Sequence, residues 1–401
     1  MKRWLLMAAV LMAAAGVLGL AVAASGVMPI TASGGHFAIT ERLLIFAKQR
    51  SVATHTLGEP SPALGDPSAV LKGAGHFESA CRPCHGAPDL ARQPRVARSM
   101  LPPPPNLSER APEWQPRELF YIVKHGIKMT GMPAWPSLVR DDEVAAMVAF
   151  LAVLPRLDAD GYRRLVHGGG DASTPAPAAA NAGGPSDVTE GAAVPGAGLA
   201  DETARPSGEP LGALVGGAHP PRSIVETCGR CHGLDGRGRG NAAFPALAGQ
   251  SESYLRAALD AYASDRRQSG MMQPLAASLH AEEWAEVAAY YSRLPRRSGD
   301  ARVKNGEDAA AVERGRIIAE RGAPERRLPS CSDCHGPGPG PREPDMPRLA
   351  GQYADYILLQ LELFAAGHRG GGPRAHLMDS VAPRMSREQM RDVAAYYASL
   401  R

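Results

Sequence analysis

Cys81-Arg82-Pro83-Cys84-His85, Cys228-Gly229-Arg230-Cys231-His232 and Cys331-Ser332-Asp333-Cys334-His335 repeat one pentapeptide, Cys-x-x-Cys-His, three times along the chain. In this pattern two thiols add across the vinyl groups of a porphyrin, and the adjacent histidine reaches the iron from one face. That is the attachment chemistry of c-type haem. The chain has 6 cysteines and the motifs use all of them, so none remains for a disulfide, a thiolate nucleophile or a separate metal site. A zinc ribbon closes two CxxC pairs on one tetrahedral ion and has no use for a histidine after each pair. A thioredoxin-like pair needs a βαβ setting, and no strand pattern surrounds these motifs. The residues therefore predict three covalently bound haem c groups. They attach at Cys81 and Cys84, Cys228 and Cys231, and Cys331 and Cys334, with His85, His232 and His335 on the irons.

The segments after the second and third motifs align. Pro245-Ala246-Leu247-Ala248-Gly249-Gln250 matches Pro347-Arg348-Leu349-Ala350-Gly351-Gln352, and Tyr254 and Tyr356 follow at the same offset. Each copy ends in a predicted helix, 281–294 and 386–400, carrying Val-Ala-Ala-Tyr-Tyr; Ser386 and Gln389 have capping-box spacing. The first copy is looser: Pro105-Asn106-Leu107 takes the Pro-x-Leu place, and the closing helix, 142–154, has Phe150 where the others have tyrosine. Each unit reads as helix, CxxCH, loop, helix, loop, closing helix. The expected fold is all-α, with three small domains behind an N-terminal hydrophobic helix.

The predicted boundaries are 1–30 for a signal or membrane anchor, 31–67 for a connecting segment and 68–158 for the first domain. A linker follows at 159–218, then the second domain at 219–297 and the third at 303–401. From Gly168 to Pro210 the linker is mostly Ala, Gly, Pro and small polar residues with no apolar period. Such a stretch cannot bury enough surface to offset its ordering entropy. A flexible tether is expected, letting the first domain swing while the other two stay paired.

The formal net charge of +3 gives no global push toward nucleic acid, and none is expected as a partner. Met1-Lys2-Arg3-Trp4 followed by an apolar run from Leu5 to Ala24 is an export signal. Ala21-Val22-Ala23 would suit a signal peptidase. The run of about 20 residues is long enough to span a bilayer, which favours a retained anchor. Either outcome puts the domains in the periplasm, on the outer side of a bacterial inner membrane. A short helix is predicted within 36–56, readable as an interfacial or partner-binding helix or as a spacer packed on the first domain.

These motifs resemble the class I cytochromes c, and the second and third units are similar to the tandem di-haem branch of that family. The resemblance covers most of the chain from about residue 68, except the linker. It implies first and last helices crossing over the haem edge, and a methionine sixth ligand in the loop before the closing helix. Aligning the closing segments superposes Met272 on Met378 and puts Met271 opposite Leu377. In the first unit Gly131-Met132-Pro133 makes Met132 the choice over Met129. Histidine is the competing sixth ligand: His125, His280, His368 or His376. The family's second shell is a proline carbonyl on the proximal histidine, here Pro105, Pro245 and Pro347. Arg266, Arg267 and Arg369 could meet haem propionates or simply belong to an arginine-rich surface. One departure stands out: Pro220-Pro221 leave little room for a leading helix in the second unit, whose packing would need a neighbour such as the third.

The function implied is a membrane-tethered electron carrier, not an enzyme, with no catalytic residue. Its partners would be a dehydrogenase, a quinol-oxidising complex or a terminal oxidase. The alternative is a dedicated cytochrome subunit of a membrane dehydrogenase or terminal oxidase complex. A third reading leaves one iron five-coordinate, most naturally in the second unit.

Overall fold

A computed structural model describes residues 2–27, 31, 34–168, 221–240, 242–295, 309–337 and 343–400. The predicted tether falls mostly at 169–220, and the join between the second and third units at 296–308, both outside the described residues. Among the described residues all secondary structure is helical, apart from one antiparallel bridge between Ala323 and Leu328.

Helix α1, Lys2–Ala24, is exposed along its whole length. Its 23 residues give a rod of about 35 Å, enough for a hydrocarbon core of about 30 Å. Helix α2, Ala38–His55, keeps Ile39, Leu43 and Phe46 exposed, while its far end lies on the first unit. There Val52 is buried, Lys48 sits 5.9 Å from the Trp114 ring centroid, and His55 stacks on Tyr121 at 5.6 Å.

The first unit opens with α3, Pro67–His76. Asp66 caps it by accepting the Ser68 N–H at 2.8 Å, and Pro67 supplies a first-turn residue that needs no N–H partner. The chain continues through a wide helical turn, Phe77–Cys81, into the short helix Arg82–His85 that carries the motif. Helices α4, Pro116–His125, and α5, Asp141–Val153, complete the frame. Helix α3 crosses α5 at Gly73: a Cβ there would lie 2.3 Å from the Ala146 carbonyl oxygen. Helix α6, Ala159–His167, buries Tyr162 and Val166 in the same core, and the Tyr162 hydroxyl donates to Glu78 at 2.6 Å. The first unit therefore runs past residue 158, into the stretch read as linker. Tyr162 and Val166 are spaced to share one helix face, and Asp158 caps the turn at the Gly161 N–H, 2.7 Å away.

The second unit comprises α7, Pro221–His232, α8, Glu252–Ala263, α9, Met272–Ala277, and α10, Ala281–Arg293. The third comprises α11, Ala309–Arg321, α12, Ala354–Ala365, α13, Ala375–Val381, and α14, Arg387–Ser399. The Ser386–Gln389 capping box is formed. Helices α11 and α14 cross as α3 and α5 do, with Gly315 where a Cβ would meet the Asp392 carbonyl oxygen at 2.0 Å. Arg314 locks that crossing with two bonds to the buried Asp392 carboxylate, 2.8 and 2.7 Å.

Helix α7 has only Pro221 to Thr227 ahead of the motif, and its unit's own core is small: Leu255, Val287, Ala288 and Tyr291. Both neighbours supply the missing cover. On one side Phe244 packs with Leu71 of α3, and Met271 packs into the first unit's core. On the same side Glu143, 2% exposed, accepts from the Gly270 N–H and the Ser269 hydroxyl, both at 2.6 Å. It also accepts from the Trp135 indole at 3.2 Å and pairs with Arg140 at 2.9 Å. The first unit, expected to swing, is docked on the second: the buried Glu143 carboxylate cannot leave the Ser269 and Gly270 donors without losing both bonds.

Two outcomes follow from this packing. Gly315→Ala should cost about 1–3 kcal/mol through overpacking against backbone, read as a lower denaturant midpoint. His76 is buried 4.7 Å from Trp135, and burial brings it down from 6.5 to about 4. Between those values the unfolded chain takes a proton the native one refuses, so stability falls as pH drops through the window, by up to about 3 kcal/mol. Glu143, pushed up chiefly by burial, has the opposite slope. His76→Phe should therefore flatten the acid-side decline in melting temperature, and an unchanged decline would remove His76 as its cause.

Candidate haem sites

Each motif sits on a helical turn that ends in glycine: Gly86, Gly233 and Gly336, with φ of 71°, 78° and 66°. A side chain at this left-handed turn would be strained, and the turn sends the loop back beneath the histidine. A glycine after every CxxCH was a signal present in the sequence but not used in reading it.

The returning loop brings a prolyl carbonyl to each imidazole. His85 Nδ1 lies 2.8 Å from the Pro105 oxygen, His232 Nδ1 3.0 Å from that of Pro245, and His335 Nδ1 2.8 Å from that of Pro347. A carbonyl only accepts, so each Nδ1 carries the proton and each Nε2 keeps its lone pair for a metal. Burial lowers all three rings below the ordinary histidine value, and Arg369 adds to this at His335. They are neutral at pH 7.

No disulfide joins any of the six cysteines. Burial pushes Cys81 up to about 12 and Cys228 and Cys331 to about 11, and raises Cys84 and Cys231. Among the described residues no group of three or more His, Cys, Asp or Glu side chains could hold a metal ion. Paired thiols on one turn beside a neutral imidazole with a free Nε2 fit haem c. A cavity opens at His335, between Cys334, Met346, Pro347 and Arg348.

In the first unit Met132 is half-buried in a loop closed by Thr130, whose hydroxyl accepts the Met132 N–H at 3.1 Å. Met129 is 91% exposed. Met100 reaches the same loop: a Cβ on Gly131 would lie 2.0 Å from its methyl carbon. Sequence reading missed this second methionine, which lies far from the loop in the chain. Met272 opens α9, its N–H bound to the Ser269 hydroxyl at 3.1 Å, whereas Met271 is taken up by the first unit's core. Met378 lies on α13 against the third core. His125, His280, His368 and His376 are exposed.

The arginines divide. Arg266 is exposed and paired with Asp260. Arg267, 5% exposed, donates to the Tyr356 hydroxyl at 2.9 Å, and Arg369 donates to Gln360 at 2.6 Å, with its guanidinium 4.2 Å from the Phe364 ring centroid. Among the described residues neither faces a carboxylate. Burial would raise the Tyr254 phenol, but these two cations bring it below its usual value. Among the described residues the pair is a cationic site free of carboxylates, and Arg369 acts on His335.

Residues 68–151 match the family described as cytochrome c oxidase, cbb3-type, subunit III, and residues 222–294 and 313–401 match the cytochrome c family. The thiosulfate dehydrogenase electron acceptor of Stutzerimonas stutzeri is 39% identical over 185 residues, 46% of this chain and 82% of that protein. Cytochrome c4 of Thiocapsa roseopersicina is 34% identical over 175 residues, 43% of this chain and 86% of that protein. A solved cytochrome c4 structure from Acidithiobacillus ferrooxidans is 35% identical with a TM-score of 0.37, covering 43% of this chain and 98% of that one.

Carbon monoxide tests the sixth positions. The dithionite-reduced protein should keep its visible spectrum on exposure to carbon monoxide. Met132→Ala should acquire a carbon monoxide shift in about one third of the absorbance, that of one six-coordinate site opened. A shift in the unsubstituted protein would mean an open or weakly held position.

Proposed function

Because the chain belongs to the cytochrome c family, we propose that it is an exported, membrane-tethered carrier of single electrons holding three haem c groups. The observation that carries the count is the threefold recurrence of one geometry: a CxxCH turn, a glycine exit and a prolyl carbonyl 2.8–3.0 Å from Nδ1. When bound, haem c supplies an iron that alternates between two oxidation states. The chain's residues do the rest. Cys81, Cys84, Cys228, Cys231, Cys331 and Cys334 fix the porphyrins covalently. His85, His232 and His335 would ligate the irons, their basicity raised by Pro105, Pro245 and Pro347. Met132, Met272 and Met378 would be the second ligands, which would raise the potential and close the iron to small molecules. Arg267 and Arg369 offer buried charge to cofactor carboxylates. Helix α1 holds the protein at the periplasmic face of the membrane, or exports it to the periplasm if cleaved.

Redox partners are protein complexes. The likeness of nearly half the chain to electron acceptors of thiosulfate dehydrogenases favours a dehydrogenase as donor. The likeness of the first unit to an oxidase subunit favours a terminal oxidase as acceptor. That combination also supports a second reading, a dedicated cytochrome subunit in such a complex, which co-purification with a large catalytic subunit would favour.

A pyridine haemochromogen assay together with intact mass should give three haems per chain. Replacing Cys81 and Cys84 by alanine should give two. Two or fewer in the unsubstituted protein would sink the tri-haem reading.

A further inference from the structure

The second and third units face each other through two glutamines related by the internal repeat. Gln250 Nε2 donates to the Arg348 carbonyl at 2.7 Å, and its Oε1 accepts the Arg348 N–H at 2.9 Å. In mirror fashion, Gln352 Nε2 donates to the Ala246 carbonyl at 2.9 Å, and its Oε1 accepts the Ala246 N–H at 3.0 Å. The two glutamines are 8% and 5% exposed. Each grips both backbone polar groups of one residue in the other unit.

The gripped residues directly follow Pro245 and Pro347. The Arg348 N–H therefore belongs to the same planar peptide group as the Pro347 carbonyl, which accepts from His335. Likewise the Ala246 N–H shares a peptide plane with the Pro245 carbonyl on His232. One rigid amide is held at its N–H end by a glutamine of one unit and at its C=O end by a histidine of the other. Hydrogen bonds in series polarise one another, so an acceptor on the N–H strengthens the carbonyl as an acceptor for Nδ1–H. A stronger bond at Nδ1 makes the imidazole a more basic ligand. The first unit makes no equivalent contact among the described residues.

We propose that Gln250 is a positioning residue for His335 and Gln352 for His232, so that each of these units tunes the iron ligand of the other. The inference rests on the reading of both histidines as proximal haem ligands. Losing a clamp frees the peptide, weakens the Nδ1 bond and makes the histidine a poorer donor to ferric iron. The potential of the haem in the opposite unit then rises.

The test uses the full-length haem-loaded protein with Gln250→Leu and, separately, Gln352→Leu. Haem count by pyridine haemochromogen comes first: fewer than three in the unsubstituted protein would defeat the haem assignment, not the clamp. Midpoint potentials and paramagnetic NMR shifts of the haem methyls are then assigned to units with variants lacking one cysteine pair. Gln250→Leu should raise the potential and move the methyl resonances of the third unit's haem more than the second's. Gln352→Leu should do the reverse, and the first unit's haem should stay put in both. Should leucine prevent folding, Gln250→Asn and Gln352→Asn withdraw the amide by one methylene and should give the same crossed pattern. Equal shifts in both haems would indicate mere loosening of the interface. That result, a larger shift in the substituted unit's own haem, or no shift overturns the proposal.

Discussion

The three CxxCH units are arranged around one hydrogen bond, from the histidine Nδ1 to a prolyl carbonyl. It fixes which nitrogen keeps its lone pair for a metal, and so which way the ring must face. To make it, the chain must reverse directly after the motif, which is why Gly86, Gly233 and Gly336 occupy left-handed turns. Reversal brings the loop back to the imidazole, where its prolyl carbonyl meets Nδ1. The leading and closing helices then clamp the assembly, closely enough at Gly73 and Gly315 that backbone touches backbone.

What the sequence revealed and what it hid divide along one line. Covalent chemistry is local, so five adjacent residues announce each motif, and the Pro-x-Leu-Ala-Gly-Gln and Val-Ala-Ala-Tyr-Tyr matches locate the loops and closing helices that follow. Helix capping is equally local, and Ser386 with Gln389 form the box their spacing suggested. Contacts between units leave no such trace. Gln250 and Gln352 look like ordinary loop amides until the fold sets each against a backbone about a hundred positions away. Glu143 reads as one more acid in the first turn of a helix, yet its partners Ser269 and Gly270 lie in another unit. A linker of small residues suggested freedom for the first unit, whereas the buried Glu143 carboxylate on Ser269 and Gly270, and Phe244 with Leu71, join it to the second.

The second unit is the keystone. Its leading helix is short and its private core small, so it draws apolar cover from α3 on one side and amide clamps from the third unit on the other.

The close approach of Gly75 to the second motif ties two units together at the level of single atoms. A Cβ at Gly75 would stand 2.9 Å from the Cys231 sulfur and 3.0 Å from the Phe244 ring, so the leading helix of the first unit lies against the neighbouring cysteine pair. Position 75 is thereby confined to the smallest residue by a motif more than 150 positions away, and the surroundings of the second motif are partly written in the first unit's sequence.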